Sequence, residues 1–348
     1  MRMALFLVGL LAWPIQLRVE IRDSEVWVVR DGREYQFTHD GKSKLQAELS
    51  PVQKRIAYYE QCIEAEHCTP TVIVLDLEGH RITSFQPRHQ AFPPAEPCSS
   101  ILSIAWVGDN VVSAVCHGNP SMSEYLEIDL STGQTVRDLV GYNFTVSPNR
   151  KEVAHVGWIP HFAPPFAKSE YLQIDHTTIY PLPKGMSPVE QKGLPEPPRV
   201  VHQKGLLYQG IHEFMPEMYW SPDSQRIALV DCVYDWKASS AESQSEGDGE
   251  QSNRRCSLAV VSKNSEAVLF VLNDFSEEDL RKLSISWIDP HQLSLETGGL
   301  TKTFTVPQRA HRDGYIARSS TQSGRETVVH ALGQLSRRTC TSTLFTGQ

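Results

Sequence analysis

Between Met218 and Asp235 an apolar and aromatic run meets a Ser-Pro-Asp-Ser cluster, and a second apolar run, Arg226-Ile227-Ala228-Leu229-Val230, follows it. β-branched and aromatic residues flanking turn formers predict strand, tight turn, strand. Proline at the second turn position pre-sets φ, and the Ser and Asp side chains bond nearby backbone amides, so the chain reverses there. The frame recurs. Leu49-Ser50-Pro51 is followed by Arg55-Ile56-Ala57, Val146-Ser147-Pro148-Asn149 by Glu152-Val153-Ala154, and Trp220-Ser221-Pro222-Asp223 by Arg226-Ile227-Ala228, with the same distance from proline to the β-branched residue. Looser copies begin at Trp106-Val107-Gly108-Asp109, before Val111 to Cys116, and at Trp287-Ile288-Asp289-Pro290, before Gln292 to Thr297.

Each copy continues into a further hairpin. Val72 to Leu77 passes through Glu78-Gly79 into His80 to Gln86, and Tyr125 to Leu130 passes through Ser131-Thr132-Gly133 into Gln134 to Leu139. Glycine supplies the positive φ that such corners need. Four strands per repeat follow, and strand–turn–strand units at irregular spacing predict propeller blades rather than a helical solenoid.

The Trp-Ser-Pro-Asp-Ser-x-x-Ile-Ala pattern, with the Asp-Leu-Ser-Thr-Gly corner at Asp129 to Gly133, resembles the repeats of TolB-type and WD40-like β-propellers. Such repeats also form the propeller domains of prolyl-oligopeptidase-like enzymes. The resemblance covers residues 17–308 and implies an all-β propeller of about six four-stranded blades. It is specific for fold and silent on activity. Three strand-like runs, Leu17 to Ile21, Glu25 to Arg30 and Arg33 to Thr38, precede the first Ser-Pro unit, and they are expected to complete the last blade and close the ring.

Composition narrows the function classes. A formal net charge of −8 argues against nucleic-acid binding, which needs a clustered basic surface. Residues 1–16 open with Met1-Arg2-Met3 and an apolar stretch too short to span a bilayer, the shape of a secretory signal, although a buried first strand would read the same way. No stable membrane span is expected once that segment is cleaved. Six of the seven cysteines fall into local pairs, Cys62 with Cys68, Cys98 with Cys116 and Cys232 with Cys256, and Cys340 is left over. Disulfides at these pairs fit a periplasmic or secreted protein, the alternative being buried thiols in a cytosolic one.

Four segments stand apart from the blades. His161 to Phe166 reads as an extended, exposed loop, and the proline-rich Pro181 to Pro198 as a linker between blades. Residues 238–255 hold no large apolar residue and read as an acidic, flexible insert, and residues 309–348 form a basic C-terminal tail with Arg309, Arg312, Arg318, Arg325, Arg337 and Arg338. Ser276 to Leu280 has the serine cap and first-turn acids of a helix start.

No linear catalytic signature is present. There is no Gly-x-Ser-x-Gly elbow, no Walker loop, no His-Glu-x-x-His and no Cys-x-x-Cys, so no catalytic residue, metal or cofactor is assigned. His155, His161 and His176 fall close together in sequence without ligand spacing. Trp106, Trp220 and Trp287 share one repeat position, where a large ring fills the space between blades. Trp158, Tyr234 and Trp236 lie where strands run into loops and are the candidates for exposed binding contacts. The chain thus reads as a non-catalytic scaffold that binds a protein or a carbohydrate on one propeller rim. The alternative is a hydrolase or lyase whose polar groups, drawn from separate blades, converge at the central channel.

Overall fold

The alternation read from the sequence becomes antiparallel sheet. A computed structural model describes residues 17–61, 69–91, 95–119, 122–159, 169–181, 189–190, 202–242, 248–263, 268–275, 280, 282–297, 300–306, 316–320 and 327–330. The signal-like segment, Cys62, Cys68, His161, most of the Ser276 helix start and Cys340 lie outside the described residues. The chain divides into two units, Met1–Tyr142 with Lys192–Pro195 and Asn143–Gln191 with Glu196–Gln348.

In the first unit, strands β1 (Leu17–Arg22), β2 (Glu25–Arg30) and β3 (Arg33–Gln36) make a three-stranded sheet. Next come the meanders β4 (Lys44–Leu49), β5 (Arg55–Glu60), β6 (Thr71–Asp76), β7 (Arg81–Phe85), and β8 (Ile101–Trp106), β9 (Val111–Asn119), β10 (Met122–Asp129), β11 (Thr135–Val146). Side chains of a strand alternate between faces, and β5 uses both. Ile56 and Tyr58 pack with Val26 and Val28 of β2, whereas Ala57 and Tyr59 pack with Ile101, Ile104 and Trp106 of β8. The sheets therefore stack face to face.

In the second unit the last residues of β11 lead into β12 (Val153–Gly157), β13 (Leu172–Ile174), β14 (Thr177–Tyr180) and β15 (Val189–Glu190). A five-stranded sheet follows, with β16 (His202–Lys204), β17 (Leu207–Trp220), β18 (Arg226–Ala238), β19 (Gly249–Ser262) and β20 (Val268–Phe275). The final sheet holds β21 (Ser284–Asp289), β22 (Gln292–Thr297), β23 (Leu300–Thr305), β24 (Ile316–Ser320) and β25 (Thr327–His330). Ala228, Val230 and Cys232 of β18 pack against Ile285, Leu293, Leu295 and Phe304 of that last sheet.

Stacked antiparallel meanders of this kind are the blades of an all-β propeller fold. Two details differ from the sequence reading. Among the described residues the strands group into five hydrogen-bonded sheets, because β11 is long enough to pair with β10 and then to neighbour β12. β1, β2 and β3 bond to one another as a sheet of their own, and the last sheet takes β24 and β25 from the basic tail. The polar insert also contributes structure: residues 249–255 belong to β19 and pair with β18, Trp236 opposite Gln251 and Lys237 opposite Glu250.

The Ser-Pro turns share one geometry. Ser50, Ser147 and Ser221 are buried. Their hydroxyls accept backbone N–H groups from Arg55, Glu152 and Arg226, at 3.1, 3.0 and 3.0 Å. The residue three beyond each serine, Gln53, Arg150 or Ser224, has φ of 53°, 59° or 58°, the left-handed region that ends a type I turn in a bulge.

The tryptophans of the repeat tie sheet to sheet. Trp106 Nε1 donates to the Glu48 carbonyl at 3.0 Å, Trp220 Nε1 to Thr145 at 3.1 Å and Trp287 Nε1 to Tyr219 at 2.9 Å. Each acceptor lies two residues before a repeat serine. Arginines beyond the turn add a second tie: Arg55 bonds Asn110 Oδ1 at 3.0 Å and Arg226 bonds His291 Nδ1 at 3.1 Å. Disulfides join Cys98 to Cys116 and Cys232 to Cys256, as the spacing predicted for those pairs.

Two measurements test this account. Trp220→Phe keeps most of the buried ring but strands the Thr145 carbonyl, so the urea midpoint should fall by the equivalent of about 1–3 kcal/mol. A change within error would remove the tie from the list of stabilising contacts. Gln53→Gly and Arg150→Gly relieve left-handed strain at exposed positions and should each add roughly 0.5 kcal/mol. Ser224→Gly should instead destabilise, since the Ser224 hydroxyl accepts the Asn149 N–H at 3.1 Å.

Candidate functional site

The polar and concave features of the second unit gather along β17. This strand is fourteen residues long because two irregularities let it bend while keeping β18 as its partner. The first lies between Tyr208 and Ile211, where Gly210 takes φ 73°. Asp235 braces it, accepting the Gly210 N–H at 3.2 Å through one oxygen and the Asn253 side chain at 2.9 Å through the other. The second lies between Phe214 and Met218, where Met215, Pro216 and Glu217 leave the ladder.

That second bulge opens a groove of about 250 Å³ lined by Met215, Pro216, Glu217, Tyr219, Leu280 and Leu283, with Val230 and Ile285 as its floor. Its walls are mainly apolar and only part buried; Pro216 and Glu217 are exposed. Tyr219 donates its hydroxyl to Glu217, which fixes the one carboxylate of the lining.

On the other side of the same strand a buried polar cluster joins three strands. Asp231 of β18 is 3% exposed. Its Oδ2 accepts the Tyr180 hydroxyl of β14 at 2.6 Å and faces His212 Nδ1 of β17 at 2.8 Å. Its Oδ1 is buried without a hydrogen-bond partner among the described residues. Burial, then the Asp231 charge, holds the Tyr180 hydroxyl well above the usual phenol range, so it stays a donor. Phe214 stacks on Tyr180 with ring centroids 5.9 Å apart, and Glu170 accepts the Phe214 N–H. The contrast with the first unit is instructive: buried Glu124 has both oxygens filled, one facing His89 Nδ1 at 2.7 Å and the other accepting the N–H groups of Gln90 and Ala91 at 2.8 and 3.0 Å.

The candidates read from the sequence are not brought together with either feature. Trp158 is half-buried; its carbonyl accepts the Tyr171 hydroxyl at 3.1 Å, and its indole N–H is buried with no partner among the described residues. Tyr234 is half-buried against the cluster of Tyr208, Ile211, Trp236 and Ala238. Burial, and the Glu213 charge after it, pushes the Tyr234 hydroxyl up to about 12. Trp236, expected at the surface, is 3% exposed and tilts against Tyr208 at 5.6 Å, because β18 continues past it instead of ending in a loop. His155 is buried, stacked on Phe144 at 5.3 Å, with Nε2 2.8 Å from the Asp175 carbonyl. Among the described residues no group of three or more His, Cys, Asp or Glu is placed to hold a metal ion, and no helix is long and apolar enough to cross a membrane.

No protein-family model and no curated protein matches the sequence. Solved structures that resemble it include a β-propeller domain. The β-propeller domain of the trilobed protease from Pyrococcus furiosus is 12% identical with a TM-score of 0.37, covering 87% of this chain and 86% of that one. TolB from Acinetobacter baumannii is 16% identical with a TM-score of 0.31, covering 82% of this chain and 60% of that one. An acylaminoacyl peptidase from Pyrococcus horikoshii is 12% identical with a TM-score of 0.36, covering 90% of this chain and 48% of that one. This chain thus spans under two thirds of the length of the TolB and peptidase chains.

His155 gives a pH prediction. Burial lowers its pKa from 6.5 to about 4, so the folded protein holds it neutral while the unfolded chain protonates near 6.5. The unfolded state then binds more protons, and stability drops as pH falls from about 6.5 to about 4. Relative to wild type, His155→Gln should lose part of its stability at pH 7 yet show a shallower decline over that window. Parallel stability–pH curves would refute the assignment.

Proposed function

We propose that the chain is a binding scaffold of the cell exterior or periplasm that captures an extended protein segment in the groove at the β17 bulge. The groove itself carries the reading: an open, mainly apolar channel with flexible Met215 on one wall and a single fixed carboxylate, Glu217, on its rim. Apolar walls favour peptide side chains over a carbohydrate, and Met adapts to varied shapes. β18 and β21 supply the floor through Val230 and Ile285, and a fixed floor beneath exposed walls is a usual way a bulge is turned into a recognition surface. Glu217 favours a segment with a Lys or Arg next to its apolar anchor. The two buried disulfides support an oxidising compartment.

Peptide display on the full chain tests the reading. Selected peptides should share an apolar residue beside a basic one, and Leu283→Asp should weaken their binding by at least tenfold, with Glu217→Gln weakening the basic peptides selectively. Peptides that bind Leu283→Asp as well as wild type would move the site elsewhere. Glycans captured on an array in place of peptides would replace the ligand class.

A further inference from the structure

We propose that His212, oriented by Asp231 and Tyr180, is an acid–base centre that hydrolyses neutral carboxylic esters with water as the nucleophile. The proposal starts from the buried carboxylate. Removing an ionised carboxylate from water is costly unless donors surround it. Among the described residues Asp231 has two donors, both on Oδ2, and no Lys or Arg side chain bonds it. Tyr180 holds the oxygen from β14 at 2.6 Å, and His212 Nδ1 approaches from β17 at 2.8 Å. That approach requires a proton on Nδ1, because a carboxylate only accepts. The tautomer is thereby fixed, and Nε2 becomes the basic atom of the neutral ring.

Nε2 has no partner among the described residues, and the His212 side chain is 17% exposed against 4% for Asp231. The ring thus has one nitrogen committed to a buried anion and one available to a reactant. A carboxylate behind an imidazole stabilises the imidazolium that forms when Nε2 takes a proton, the part an aspartate plays in hydrolytic triads. Hydrolysis by this dyad needs only water beside it. As the water oxygen bonds to the acyl carbon, its proton moves to His212 Nε2. When the bond from that carbon to the ester oxygen breaks, the imidazolium proton moves to the leaving oxygen, giving acid and alcohol and returning a neutral ring. Substrate charge follows from the surroundings. With the buried Asp231 carboxylate directly behind the ring, the cluster disfavours carboxylates and phosphate esters. The alternative role for the same contacts is a strut that locks β14 to β17 and β18.

The two roles separate by experiment on the full chain with p-nitrophenyl acetate as probe. Wild type should hydrolyse it saturably, at least tenfold faster than equimolar free imidazole. His212→Gln should lose that excess. Asp231→Asn should lower kcat about tenfold or more with little change in KM and alter the pH profile, since Asn cannot stabilise the imidazolium. Treatment of wild type with diethyl pyrocarbonate covers the case in which a variant fails to fold: the rate should fall in step with modification of His212, read by peptide mass. The proposal is overturned if wild type matches free imidazole, if His212→Gln keeps the wild-type rate, or if His212 is modified without loss of rate. None of these results depends on peptide capture, so failure here leaves the groove reading standing, and the reverse also holds.

Discussion

Sheet stacking in this chain depends on one hydrogen bond used repeatedly. An indole N–H near the end of one strand is buried against the preceding sheet, and its only inexpensive resting place there is a carbonyl the ladder has left free. Trp106, Trp220 and Trp287 each find that carbonyl two residues before a repeat serine. The serine hydroxyl then satisfies the amide five residues on, so the turn and the inter-sheet tie draw on the same few residues. Apolar contacts between sheets would tolerate sliding; a directional bond to a fixed atom does not.

This arrangement explains what the sequence discloses. The Ser-Pro units are local, so turn, bulge and strand direction could be read from a few consecutive residues, and the shared tryptophan position announced the packing. Cys98 with Cys116 and Cys232 with Cys256 were legible for the same reason, since each pair belongs to a single meander. The Asp231 cluster was not. Tyr180, His212 and Asp231 come from three strands, each inside an ordinary alternating pattern, and only the register of β17 on β18 and its approach to β14 bring them to one oxygen. A signal did exist: Asp231 interrupts an otherwise apolar run between Val230 and Cys232. Trp236 misled because strand ends were placed at the first polar residues, whereas paired backbone carries β18 and β19 through Lys237 and Glu250. Composition alone does not say whether a polar strand has a partner.

The two sides of β17 illustrate how one long strand can hold unlike sites. A bulge removes three residues from the ladder and turns them toward solvent as the wall of a groove. Paired residues just before it keep the inward alternation and carry His212 and Phe214 to the Tyr180 ring. Irregularity in the strand, held in place by Asp235 at one end, is thus what separates the open apolar groove from the buried polar cluster.

In the second unit Tyr219 offers its carbonyl to Trp287 while its neighbour Trp220 donates to Thr145. Socket and plug are therefore adjacent residues of a single strand end. A unit built this way is polar in the sense of a toy brick: whatever is duplicated brings both halves of the joint, and each new copy can be added in tandem without inventing a fresh interface. Leu49 and Val146 stand where the plug would be in the other two Ser-Pro turns, so only the turn after Tyr219 and Trp220 carries both halves, while all three share the left-handed residue three past the serine.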